Sequence, residues 1–220
     1  MPYSGYQYPI YPGTDVWKNL DPKTVNRYEL LQLPEDTLRS ISTQRLLETC
    51  LYYPAMIDVF GFDNQIQGFK IVRTRFSGFD ELFNRPDAAE NLISYYAGRN
   101  PNRVTSFDED YDKGRYSLDY VILELMISQP EIISQLENSR IKMLTENVLR
   151  KLEQQSELHE YYSDVFISIS ANMLGRLLVK TGELSQEIND ELSKLIDSGN
   201  LEDPNNISLI FEKAYLYIKN

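Results

Sequence analysis

The run Leu118-Asp119-Tyr120-Val121-Ile122-Leu123-Glu124-Leu125-Met126-Ile127 decides the fold class. It is apolar on nearly every side of a helical wheel, the pattern of a helix buried all round. Reading on from it, Ile141, Leu144, Val148 and Leu152 recur at helical spacing. A long helix is expected from about Glu157 to Lys180, with Gly182 as its stop. Within it Ala171 and Gly175 lie four apart, where small side chains let a neighbouring helix come close. Ile188, Leu192, Leu195 and Ile196 mark another helix, and Asp203-Pro204 opens the last one, with Ile207, Ile210, Phe211, Ala214 and Ile218 on one face.

Reading back towards the N-terminus gives the same class. Leu33-Pro34-Glu35-Asp36 has proline and acids where a first helical turn wants them. Ser42 is a helix cap behind Ile41, which can pack on Leu46, and Leu46, Leu47, Cys50 and Leu51 form one stripe. Pro54 ends that helix and opens another carrying Met56, Ile57, Val59 and Phe60. Asn64 caps a helix with Ile66, Phe69, Val72 and Phe76, and Asp87 with Glu90 precedes Leu92, Ile93 and Tyr96, with a stop at Gly98. The polar stretch from Arg99 to Tyr116 reads as a long loop. No strand or hairpin signal stands out. The expected architecture is all-α: an irregular multi-helix bundle, with HEAT-like stacked helical hairpins as the variant. The variant rests on an echo, Leu47-Glu48-Thr49-Cys50-Leu51-Tyr52-Tyr53-Pro54 against Leu123-Glu124-Leu125-Met126-Ile127-Ser128-Gln129-Pro130, both read as helix, proline break, helix. Residues 14–220 are expected to form a single all-helical domain behind an extended Tyr/Pro-rich arm, residues 1–13, in which Tyr3, Tyr6, Tyr8 and Tyr11 alternate with Pro2, Pro9 and Pro12.

Composition narrows the function. With 22 basic and 33 acidic residues the formal charge is −11, a field that repels phosphate backbones, so no nucleic-acid partner is expected. Tyr is abundant, at 16 against 9 Phe and 1 Trp, and suits half-exposed surfaces and interfaces. One cysteine excludes an intramolecular disulfide, and one histidine excludes any site needing two imidazoles from one chain. The apolar stretch from Val165 to Val179 is too short and too interrupted to span a membrane. No export signal is visible at the start, so the expected location is cytoplasmic, or exported with the leader removed.

The segments Leu33-Pro34-Glu35-Asp36, Leu47 to Pro54, Phe79-Asp80-Glu81-Leu82 and Gly114-Arg115-Tyr116-Ser117 carry a resemblance. Through them the chain resembles a group of uncharacterised all-helical bacterial proteins met mainly in Bacteroidota-type genomes. The resemblance implies a bacterial source, a helical fold and, in some relatives, an export leader. It brings no activity and no catalytic residue.

Two chemistries can be placed on particular residues. Asp108, Asp110, Asp112 and Asp119 occupy positions 1, 3, 5 and 12 of a calcium-type loop, where alternate acids on a turning backbone meet one hard cation. Lys113 stands where such a loop needs glycine, and Asp119 replaces the usual bidentate glutamate. Cys50 and His159 are the residue types of a cysteine hydrolase, although Cys50 shares a stripe with leucines. With so many acids, a glycosidase-type carboxylate pair can also be imagined, but none can be singled out. The tail Gly175 to Lys180-Thr181 mimics a phosphate loop but has Val179 where glycine must precede the lysine. The favoured reading is therefore a non-enzymatic helical protein-interaction domain. Its partner-binding candidates are Tyr3, Tyr6, Tyr8 and Tyr11 together with the Arg99–Tyr116 stretch, and calcium binding and hydrolysis stand as the alternatives.

Overall fold

The computed structural model describes residues 4–21, 23–184, 190–199, 201 and 203–220, and among them there is no strand. The fold is all-α, many helices packed together, and the chain divides into two compact units at the Asn91–Leu92 bond.

The first unit contains α1 (Asp15–Lys18), α2 (Glu35–Ser40), α3 (Thr43–Leu51), α4 (Gln65–Thr74) and α5 (Ser77–Asn84). Local chemistry sets their starts. Ser42 accepts a hydrogen bond from the Arg45 amide, and the Asn64 side chain accepts from the amides of Ile66 and Gln67, satisfying donors that a helix start leaves open. Pro54 does end α3, but the next element, Met56–Gly61, is a 3₁₀ segment rather than an α-helix. The expected helix from Ile66 to Phe76 is two helices. Phe76 takes an extended backbone between them (φ −141°, ψ 111°) and so lays its ring flat on Tyr53, 4.4 Å between centroids, and edge-on to Phe79. This aromatic cluster, extended by Phe69 and Phe83, is the core of the unit.

The extended arm lies on this unit's own body. The backbone amide and hydroxyl of Ser4 both donate to Glu48 Oε2 (2.7 and 2.9 Å), and the Tyr6 amide donates to Thr49 Oγ1 at 2.8 Å. Arg45 Nε donates back to the Ser4 carbonyl at 2.8 Å. Glu48 and Thr49 are consequently buried, although they lie on a face of α3 that the leucine stripe does not use. Tyr8 is buried edge-on to Tyr53, Tyr6 is half-buried and Tyr11 reaches the surface. Tyr3 lies outside the described residues.

Helix α6 (Ala88–Ala97) carries the chain into the second unit, which holds α7 (Asp110–Ile127), α8 (Pro130–Ser134), α9 (Asn138–Ser156), α10 (Asp164–Thr181), α11 (Asp190–Ser198) and α12 (Pro204–Lys219). The stretch expected as a long loop is largely helical. Asn100 caps a 3₁₀ segment, Pro101–Ser106, and α7 begins at Asp110. Two of the acids that suggested a loop, Asp110 and Asp112, sit in its first turn, where the positive end of the helix dipole favours them. The helix expected from Glu157 begins only at Asp164, because residues 157–163 turn the chain back between α9 and α10. Ile188 lies outside the described residues.

Helix α10 is central, packing on α7, α9, α11 and α12. Gly175 allows α11 to approach: a Cβ there would stand 2.9 Å from Ile196 Cδ1. At its C-terminus Gly182 takes the left-handed conformation (φ 81°), and the Glu183 amide returns to the Leu178 carbonyl at 3.0 Å. Arg176 Nη1 donates to the Ser128 carbonyl at the end of α7, where a cation offsets the helix dipole.

Two glycines test this packing in opposite directions. A Cβ on Gly68 would lie 2.3 Å from the Val59 carbonyl oxygen, whereas Gly114, inside α7, has open space. Gly68→Ala should destabilise by about 1–3 kcal/mol, and Gly114→Ala should stabilise by about 0.5–1 kcal/mol. Urea unfolding followed by circular dichroism measures both.

Candidate functional site: a buried polar cluster beside an apolar cavity

Glu124 lies in the all-round apolar part of α7 and is only 2 % exposed. No water-facing direction exists for its carboxylate, so neighbouring helices must supply donors. Tyr96 of α6 donates its phenol and Ser170 of α10 its hydroxyl, each at 2.7 Å. Burial pushes the Glu124 carboxyl up to about 7, and the two hydroxyls and the Lys151 charge pull the other way. Lys151, on α9, is also 2 % exposed. Its ammonium donates to the carbonyls of Arg99 and Ala97 and stands over the rings of Tyr96 (5.1 Å) and Tyr120 (5.8 Å). Burial lowers it to about 8, the Arg150 and Arg99 charges act in the same direction, and Glu124 opposes them.

Beside this pair, Arg99 Nη2 bonds Asp119 Oδ2 at 2.9 Å, and the guanidinium lies over Tyr116 at 4.2 Å and Tyr120 at 5.4 Å. Tyr116 donates to the Asn100 carbonyl (2.9 Å) and Tyr162 to the Pro101 carbonyl (3.0 Å), so the tyrosine tips hold the 3₁₀ segment down. A carboxyl near 7 is what acid–base catalysis needs. Here, however, the groups that reach it are hydroxyls of the protein itself, and it is closed off from solvent.

Tyr162 links this cluster to a cavity of about 430 Å³ between α9, α10 and α12. Leu149 and Leu152 come from α9, Phe166 and Ile167 from α10, and Phe211 and Tyr215 from α12. The cavity opens at the surface, where Ile167 is 39 % and Tyr215 37 % exposed. Glu153, Gln155, Ser156, His159 and Ser163 add polar side chains to the lining. Glu153 accepts from the Tyr215 hydroxyl at 2.9 Å, Ser156 donates to the Glu153 carbonyl, and His159 comes from the turn after α9. Gln155 is buried, and its Nε2 has no partner among the described residues.

Of the residues singled out from sequence, His159 lines the cavity and Asp119 belongs to the buried cluster, while the others are placed elsewhere. Asp110 and Asp112 lie exposed in the first turn of α7, Asp110 paired with Lys113, and Asp108 is exposed just before it. Asp119 is buried and bonded to Arg99. The four therefore do not converge, and among the described residues no group of three or more His, Cys, Asp or Glu side chains is arranged to hold a metal ion. Cys50 is fully buried in α3, and burial pushes its thiol well up, towards the unreactive protonated form. His159 sits at the cavity, in the second unit. Among the described residues no helix is long and apolar enough to cross a membrane.

No family model matches the chain, and neither does any curated protein or solved structure. Function must therefore be read from the site alone.

The buried pair has a pH signature. Between about pH 4.5 and 7 the folded chain keeps a proton on Glu124 that the unfolded chain has lost, so this group makes stability fall as pH rises. Between about pH 8 and 10.5 the folded chain has lost a proton from Lys151 that the unfolded chain retains, so this group makes stability rise. Thermal unfolding against pH should show Glu124→Gln gaining on the unsubstituted protein from pH 4.5 to 7, by on the order of 2–3 kcal/mol. Its slope above pH 8 should persist.

Proposed function

We propose that this chain is a non-catalytic binding module, and that the second unit takes a small, mostly apolar ligand in the cavity between α9, α10 and α12. The observation that carries the reading is the cavity itself. Its volume of about 430 Å³ falls within the range of small-molecule sites, most of its open wall is apolar, from leucine, isoleucine and aromatic rings, and polar side chains of α9 and the turn after it stand among them. The other surfaces favour this choice. The tyrosine arm already has a partner in α3, through Glu48 and Thr49, and its Tyr8 is buried. Binding without chemistry fits the residues present: the Ser156 hydroxyl is turned to the Glu153 carbonyl rather than to His159, and Cys50 is enclosed in the first unit.

The neutral dye N-phenyl-1-naphthylamine tests the proposal. Its fluorescence should rise on saturable binding to the full chain, with a dissociation constant on the order of 1–100 µM. Ser156→Trp, an exposed position on the cavity wall, should fill the space and abolish the rise while leaving the helical circular dichroism spectrum intact. No saturable binding, or binding that survives Ser156→Trp, would sink the reading.

A further inference from the structure

Resting on that reading, we infer that the ligand is an organic cation: an ammonium or similar group on an apolar body, with the charge placed at Glu153 and against the aromatic wall.

The charges around the cavity carry the inference. Among the described residues Glu153 is the one acid in the lining, and neither lysine nor arginine contributes to it. One carboxylate oxygen of Glu153 accepts from Tyr215, which leaves acceptor capacity on the same group for a second donor. That bond also holds the carboxylate against the α12 side of the mouth, at a fixed place relative to the rings. The aromatic side chains of the walls are Tyr162, Phe166, Phe211 and Tyr215. Tyr162 and Phe166 meet edge to face at 5.2 Å and 85°, so their rings offer differently directed faces. The faces of such rings are negative, and they attract a desolvated cation.

An anionic head would meet the opposite conditions. It would approach a protein of net charge −11 and find Glu153 with no compensating base in the described lining. The orphan donor of that lining, Gln155 Nε2, is itself covered. His159, at the same cavity, offers a ring nitrogen that can accept a hydrogen bond from an ammonium. A cationic head therefore gains at the carboxylate and at the rings, while its hydrocarbon body fills the leucine and isoleucine side.

Matched probes separate charge from size. Octylammonium, 1-octanol and octanoate, titrated calorimetrically into the full chain at low salt, share one apolar body. The ammonium compound should bind about tenfold or more tightly than octanol, and octanoate more weakly than octanol. Glu153→Gln should remove most of the ammonium preference and leave octanol binding unchanged. Equal binding of the three, tighter octanoate binding, or a preference that survives Glu153→Gln overturns the cation inference and leaves the cavity reading in place. Binding of none of the three overturns both. A chain that sediments as a dimer, and becomes monomeric with Ser156→Trp, would place a second copy in the cavity and likewise overturn the proposal.

Discussion

The second unit is organised around the solvation of one carboxylate. Glu124 sits where α7 has no outward face, so its oxygens must be satisfied by whatever packs against that helix. The donors come from α6 through Tyr96 and from α10 through Ser170, while α9 brings the Lys151 charge. Four helices must therefore arrive in one register, since a slip of either donor leaves a buried acceptor without a hydrogen bond. Apolar packing alone tolerates rearrangement far better. A buried polar group with several assigned partners is a device for selecting one arrangement among many of similar hydrophobic content.

That arrangement also shapes the cavity. Tyr162 belongs to both: its hydroxyl is tied to the Pro101 carbonyl and its ring meets Tyr120 on one side and Phe166 on the other. Gln155 lies one helical turn beyond Lys151 on α9 and lines the same space. The inner wall is thus anchored to the most constrained part of the unit, whereas Ile167 and Tyr215 at the mouth are partly exposed. A wall held before the ligand arrives loses little conformational freedom on binding, which is how a modest cavity reaches useful affinity.

Much of the fold was legible because it is written in local chemistry. Ser42, Asn64 and Asp203 cap helices as their side chains suggest, and Gly182 ends one in the left-handed conformation. The misreadings have local causes too. Nothing between Glu157 and Tyr162 breaks a helix, yet the chain turns there, and Tyr162 at its end is tied to the Pro101 carbonyl, 61 residues away in sequence. The acids from Asp108 to Asp112 suit both an ion-binding loop and the start of a helix, and composition does not separate the two. The clearest site signal was a charge, Glu124, inside an otherwise apolar run. Its partners lie 28 and 46 residues away, beyond the reach of any periodicity. The cavity was not readable at all: Leu149, Leu152, Phe166 and Phe211 look like ordinary core positions until three helices are set beside one another.

The arm on the first unit carries a consequence for how the chain is made. Ser4 and Tyr6 bond to Glu48 and Thr49, 44 and 43 residues later. During synthesis the arm leaves the ribosome well before its acceptors exist, and α3 gains its cover only after its own turns have formed. Closing such a long loop costs chain entropy, so the strap should settle late, onto a helix whose leucine stripe is already in place. Until then Glu48 and Thr49 remain hydrated, and this polar face is soluble while it waits. An apolar stripe in the same place would be a sticky surface on every nascent chain.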